Sequence, residues 1–205
     1  MNEQWRPYWR NKLFRNKLAL GILTLVLLVA FLPYYFAFIE ARKGIQLNDI
    51  VLNYIDSANV SVPTFIIIWS LSLWYLYKSA KDPALILLIL WGLNVLFITR
   101  IISIYLVPLD PPIDLVELID PITNQFYGAK FITKDLFFSG HTATLVCLSL
   151  CLRKRRDQLI VLSGAIIVGI LVLVQHVHYT IDVIAAFVFP YFIIKIARRI
   201  IAPFN

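Results

Sequence analysis

Residues 18–39 read LALGILTLVLLVAFLPYYFAFI, a stretch without a single charge that directly follows Arg6, Arg10, Lys12, Arg15 and Lys17. A helix that crosses the hydrocarbon core of a bilayer needs about 20 apolar residues, and this stretch supplies them. Its basic flank is of the kind held on the cytoplasmic side. Phe31-Leu32-Pro33-Tyr34-Tyr35 is bulky and offers no small-residue cleavage site, so the stretch reads as a retained first span rather than a secretory leader.

Further apolar runs lie near Val62–Tyr77, Ala84–Leu106, Phe137–Leu152, Leu159–Val177 and Ile181–Ile194. The pattern predicts an all-α polytopic membrane helix bundle of six transmembrane helices, with both termini on one side. Composition agrees: of 205 residues, 60% are hydrophobic and 15% charged, and mean hydropathy is +0.78. Soluble domains carry about 25% charged residues. A soluble enzyme, a disordered chain and a disulfide-stapled secreted domain are all excluded on that basis. Cys147 and Cys151 share one apolar run, one helical turn apart, and read as packing residues.

The net charge of +7 does not imply nucleic acid, because the basic residues cluster between apolar runs. With a cytoplasmic N-terminus, the inside receives the arm over residues 1–17, Lys78, Lys81, the Arg153–Arg156 run, Lys195, Arg198 and Arg199. Only Arg42, Lys43, Arg100, Lys130 and Lys134 remain outside. Among the acidic residues, only Glu3, Asp82 and Asp157 lie inside. This bias predicts cytoplasmic termini. The connection over 107–136, with Pro108, Pro111, Pro112 and Pro121, becomes a long external loop, and residues 1–205 read as one domain.

Ionisable groups in or beside spans cost about 2.5–3.5 kcal/mol each on insertion scales and call for a reason. Under this topology the three histidines, His141, His176 and His178, together with Asp182 and Arg100, all fall at the external ends of spans. Ser139-Gly140-His141-Thr142 precedes an apolar helix, whose N-terminal amides attract anions such as phosphate. Arg100 can grip the same group with its planar fork. His178 and Asp182 are spaced i, i+4, so on a helix beginning at His178 the carboxylate would orient the imidazole as a nucleophile. His141 would protonate a departing alkoxide. A metal site from His141, His176, His178 and Asp182 has suitable ligand types but leaves Ser-Gly and Arg100 without a task. A non-enzymatic membrane protein that uses His and Asp as a relay is a third reading.

Ser139-Gly140-His141-Thr142 together with His178-Tyr179-Thr180-Ile181-Asp182 resembles the type 2 phosphatidic acid phosphatase superfamily, in particular its sphingomyelin-synthase-like branch. The branch motif C-G-D-x-x-x-S-G-H-T stands here as residues 133–142, with Thr133-Lys134 in place of Cys-Gly and Asp135 kept. Its H-Y-T-x-D-V motif is matched from His178 to Val183, His176 falls where the branch has a histidine, and Arg100–Tyr105 looks similar to its third-span motif. The general phosphatase Ser-Arg pair is replaced by Leu171-Val172.

The resemblance implies a metal-independent, cofactor-free lipid phosphotransferase. His178 would attack a phospholipid phosphorus at the external leaflet and form a phosphohistidine. Asp182 would orient it and His141 would act as the acid. Arg100, Ser139 and Gly140 would bind phosphate, with Asp135, Thr142, Tyr179 and His176 in support. The acceptor would be a lipid alcohol such as ceramide or, in the phosphatase alternative, water. The expected setting is a bilayer with the site on its non-cytoplasmic face, a bacterial inner membrane before a secretory one, and no nucleic-acid partner.

Overall fold

The computed structural model describes residues 4–119, 131–202 and 204. Pro121, Lys130 and the rest of 120–130 in the long connection lie outside the described residues. Seven α-helices, and no strands, are present among the described residues: α1 (Arg6–Arg10), α2 (Lys12–Ala41), α3 (Ser61–Ser79), α4 (Pro83–Leu106), α5 (Gly140–Cys151), α6 (Arg155–Val174) and α7 (Thr180–Ile201). A 3-10 turn covers Leu52–Tyr54.

Helix starts follow local chemistry. Asn11 caps α2 by accepting from the amides of Leu13 and Phe14, and Asp82 caps α4 by accepting from Leu85, with Pro83 at the first position. Four helices, α2, α4, α6 and α7, are long and apolar enough to cross a membrane. The serines, aromatic polar residues and Lys78 of α3 keep it out of that group despite its 19 residues. Helix α5, with 12 residues, is too short.

Shortness suits α5 because it is the hub rather than a wall. It packs on α3, α4, α6 and α7, and Ala143, Leu145 and Cys147 are fully buried. The apolar run begins at Phe137, but the helix begins only at Gly140. Ser103 Oγ donates to the Phe137 carbonyl and Arg100 Nε to the Phe138 carbonyl, so both carbonyls are spent on α4. Outer faces of the bundle remain apolar: Leu23, Val26 and Leu27 on α2 and Ile166, Ile167 and Ile170 on α6 are exposed. Such continuous apolar exposure marks a lipid-facing surface. Inside, Asn94 of α4 is buried and donates to the Gly21 carbonyl of α2 at 2.9 Å, a polar link of the kind that joins helices in membranes.

The helices alternate between two ends. At one end Lys17 Nζ donates to the carbonyls of Ile200 and Ala202, Trp5 Nε1 to that of Ala80, and Arg153 pairs with Asp82. The described N- and C-terminal segments therefore meet. At the other end the segment after α2 joins the one after α4: Ile45 N–H donates to Pro108 O, and Asp110 N–H to Ile45 O. Gly44 permits this, since a Cβ there would lie 2.4 Å from the Leu109 carbonyl carbon.

Candidate active site

Arg100 is buried in the last third of α4 and its guanidinium is held on three sides. Nε donates to Phe138 O at 3.0 Å, Nη2 pairs with Asp135 Oδ1 at 2.8 Å, and the plane lies against Gly140. A Cβ on Gly140 would sit 2.6 Å from Nη1, so only glycine admits this approach. The segment before α5 is fixed in turn by Glu40 at the end of α2. Its carboxylate accepts from the amides of Thr133 and Lys134, both at 2.7 Å, and from the Thr133 hydroxyl. Lys134 reaches on to Asp110 at 2.8 Å, and that ion-paired hydrogen bond holds the Asp110 carboxyl below its ordinary range.

One residue further on, Ser139 N–H donates to the backbone carbonyl of Asp182 at 3.2 Å, which joins the start of α5 to the first turn of α7. Ser139 Oγ donates to Thr142 Oγ1 within that turn rather than capping the helix. The first amides of α5 lack helical partners, as at any helix start, and they lie beside the Arg100 guanidinium at Gly140.

Asp182 is fully buried at the third position of α7. Its Oδ2 accepts from the Tyr179 amide at 3.0 Å and faces His178 Nδ1 at 3.4 Å. Its Oδ1 has no partner among the described residues. The helix begins at Thr180, so His178 lies just before it and not on its first turn. The i, i+4 pairing survives because Asp182, a helix-start acid, reaches back across the cap. A neutral imidazole that donates from Nδ1 to a carboxylate carries its lone pair on Nε2.

His141, in the first turn of α5, meets the ring of Phe65 edge-on, with centroids 5.7 Å apart. Three predicted residues turn elsewhere or serve the frame. His176 is buried at φ 53°, and its two ring nitrogens each lie 2.9 Å from a backbone carbonyl, that of Ile113 and that of Ile55. Tyr179 OH donates to Asp110 O at 2.8 Å and accepts from Leu47 N–H. Thr142 is buried inside α5. No three His, Cys, Asp or Glu side chains among the described residues come together as a metal site.

Sequence reasoning missed the residues that hold this end together. Gln175, fully buried, donates to Ser61 Oγ and Glu117 O and accepts from Val60 N–H. Asp49 accepts from both the amide and the hydroxyl of Thr180, at 2.6 and 2.9 Å, and so caps α7 from another segment. Burial raises its pKa, but the bonds from Thr180, Leu52 and Val51 outweigh that and hold the carboxyl below its ordinary range. A cavity of about 690 Å³ lies beside this frame, lined by Asp49, Leu52, Asp56, Pro112, His176 and Tyr179 and not by His178, Asp182 or Arg100. No local pattern flags Gln175, whereas two aspartates, Asp49 and Asp56, between the first two apolar runs are at least a cue for Asp49.

Residues 134–198 match the family model described as PAP2 superfamily C-terminal. That stretch holds Asp135, Ser139, Gly140, His141, Thr142, His176, His178 and Asp182, and leaves out Arg100. No curated protein and no solved structure matches the chain. The match supports the type 2 phosphatidic acid phosphatase superfamily, and with four membrane-length apolar helices it supports an integral membrane protein of phosphatase-like lipid chemistry.

Proposed function

We propose that the chain is an integral-membrane lipid phosphotransferase, with six spans formed by α2 to α7, both termini cytoplasmic and its site on the non-cytoplasmic face. The observation that carries this reading is one continuous path of contacts. It runs from Asp135 and Arg100 through Gly140 to Ser139, and from Ser139 through Asp182 to His178. A cationic fork, a set of helix-start amides and an acid-facing imidazole are thus linked by one run of contacts, and phosphoryl transfer needs those parts.

In the mechanism, a phospholipid phosphate lies between Arg100 and the amides of Gly140 and Thr142. His178 Nε2 attacks phosphorus in line, and the phosphorus–oxygen bond to diacylglycerol breaks. His141 gives its proton to the leaving alkoxide. The carboxylate of Asp182 stabilises the imidazolium as it forms. In the second half, a lipid alcohol such as ceramide gives its hydroxyl proton to His141 and attacks phosphorus. The nitrogen–phosphorus bond breaks and His178 is restored. Alpha5 as a short buried helix supports the site's depth, since its N-terminus is positioned by four neighbouring helices.

A second reading keeps the same steps with water as acceptor, and the family match is equally compatible with it. Purified protein is supplied with phosphatidic acid, or with phosphatidylcholine and phosphatidylethanolamine, each with and without ceramide, and His178→Ala is the blank. The transferase yields a ceramide phospholipid and diacylglycerol. The phosphatase releases inorganic phosphate from phosphatidic acid whether or not ceramide is present. Neither product, with no phosphohistidine trapped at residue 178, overturns both.

A further inference from the structure

Helix α7 carries a second polar cluster at its far end. Tyr191, Ile194, Lys195, Arg198 and Arg199 recur at the three- and four-residue spacing of a single helical stripe. With Leu150 of α5 they line a cavity of about 460 Å³. The cavity follows from unequal helices. Alpha5 has 12 residues and α7 has 22, or about 18 and 33 Å of rise, so beyond Cys151 α5 no longer walls that side of α7. Lys195 lies about 20 Å along the axis from Asp182, out of reach of the candidate active site.

Basic residues near a helix C-terminus often do no more than complement its dipole. That task is already filled here. Lys17 Nζ donates to the carbonyls of Ile200 and Ala202 at 2.6 and 2.7 Å, and Arg198 Nη2 donates to the Leu150 carbonyl at 3.0 Å. Among the described residues, no hydrogen bond or ion pair engages the charges of Lys195 and Arg199, which stand exposed above the apolar walls of Leu150 and Ile194. A small anion would leave those walls without a partner, and an uncharged lipid would leave the cations without one. We infer that this notch binds one anionic phospholipid of the leaflet opposite the active site. Its phosphate sits between Lys195 and Arg199 at the membrane surface, and its acyl chains lie over Leu150, Tyr191 and Ile194.

The test uses the full-length protein in nanodiscs of phosphatidylcholine containing a minor share of phosphatidylglycerol with the same acyl chains, with lipid retention read by native mass spectrometry after release. The wild type is expected to hold one phosphatidylglycerol at least about tenfold above its share of the disc. Lys195→Gln/Arg199→Gln is expected to bring that ratio near unity, with Arg198 left to hold Leu150. Arg153→Gln/Arg155→Gln, which removes equal charge from the same end of the bundle, is expected to keep it. Should the double variant not elute as a single species, Lys195→Gln alone is expected to lower the ratio at least threefold. No enrichment in the wild type overturns the proposal without recourse to any variant. Full enrichment in the Lys195 variants overturns it too, and equal loss with the Arg153 pair shows diffuse charge attraction in place of a site.

Discussion

Two neighbouring stretches, Gln175–Val177 and His178–Asp182, both bury polar side chains, yet they spend their polar atoms in opposite ways. Gln175 and His176 direct theirs at Ser61, Glu117, Ile113 and Ile55, most of them backbone carbonyls in the segments that cover the end of the bundle. His178 directs its Nδ1 at a buried carboxylate and keeps Nε2 for something else. A histidine bound between carbonyls is a strut, whereas a histidine oriented by an acid suits the nucleophile of the proposed reaction. Residue type and burial are the same at 176 and 178; the partners, and the positive φ at 176, separate the proposed roles.

The comparison breaks most visibly at His178. His178→Ala is expected to lower turnover by about four orders of magnitude or more, because it removes the proposed nucleophile outright. Size-exclusion behaviour and melting temperature should stay close to the wild type. Turnover within tenfold of wild type would sink the assignment of His178 as the attacking group. The next effect is expected at Arg100. Arg100→Lys keeps the charge but loses the fork that meets Phe138, Asp135 and Gly140 together, and a loss of about 100-fold in kcat/KM should follow. A variant with unchanged kcat/KM would show that Arg100 serves only the frame.

His176 should respond in the reverse sense. His176→Ala removes the bonds to two part-buried carbonyls and places alanine at φ 53°. A loss of several degrees in melting temperature is expected, with turnover of the surviving folded protein within a few-fold. Thermal unfolding and activity measured on one preparation check this. A wild-type melting temperature with lost turnover would move His176 from frame to chemistry.

Much of this end could be read from the chain. The apolar runs located six of the helices, and Pro83 and Leu106 bound α4 within a residue of the expected run. Ser139-Gly140-His141 and His178…Asp182 were recognisable because each motif is local. What stayed hidden is nonlocal. That Phe137 and Phe138 precede the helix depends on Ser103 and Arg100, more than thirty residues earlier. Glu40 and Thr133 are 93 positions apart, and Asp49 and Thr180 are 131 apart. Periodicity reports which face a side chain takes, and it carries no information about which distant amide that side chain will meet. His178 illustrates both limits. Its partner was legible from spacing, but its place ahead of the helix was not, since Asp182 and Asp49 together decide where α7 begins.

Asp49 offers the smallest and most specific test of the contrast, because it acts on the start of α7 from another segment. Its carboxylate caps α7 through Thr180, two residues from His178, and a cap of this kind is worth about 1 kcal/mol. The folded-state pKa is lowered from its ordinary 3.8, so the cap's contribution is fully present above that value. It is lost as pH falls from near 3.8 down through the lowered folded pKa, where the carboxyl takes up a proton. Asp49→Asn carries no charge at any pH. The variant should therefore melt a few degrees below the wild type at pH 5 to 7, and the gap should close as pH drops below about 3.8. A gap that persists unchanged to the lowest pH tolerated would mean that something other than the carboxylate charge separates Asp49 from asparagine. A gap that is absent at neutral pH would mean that shape, which asparagine shares, holds Thr180 and that the charge adds nothing.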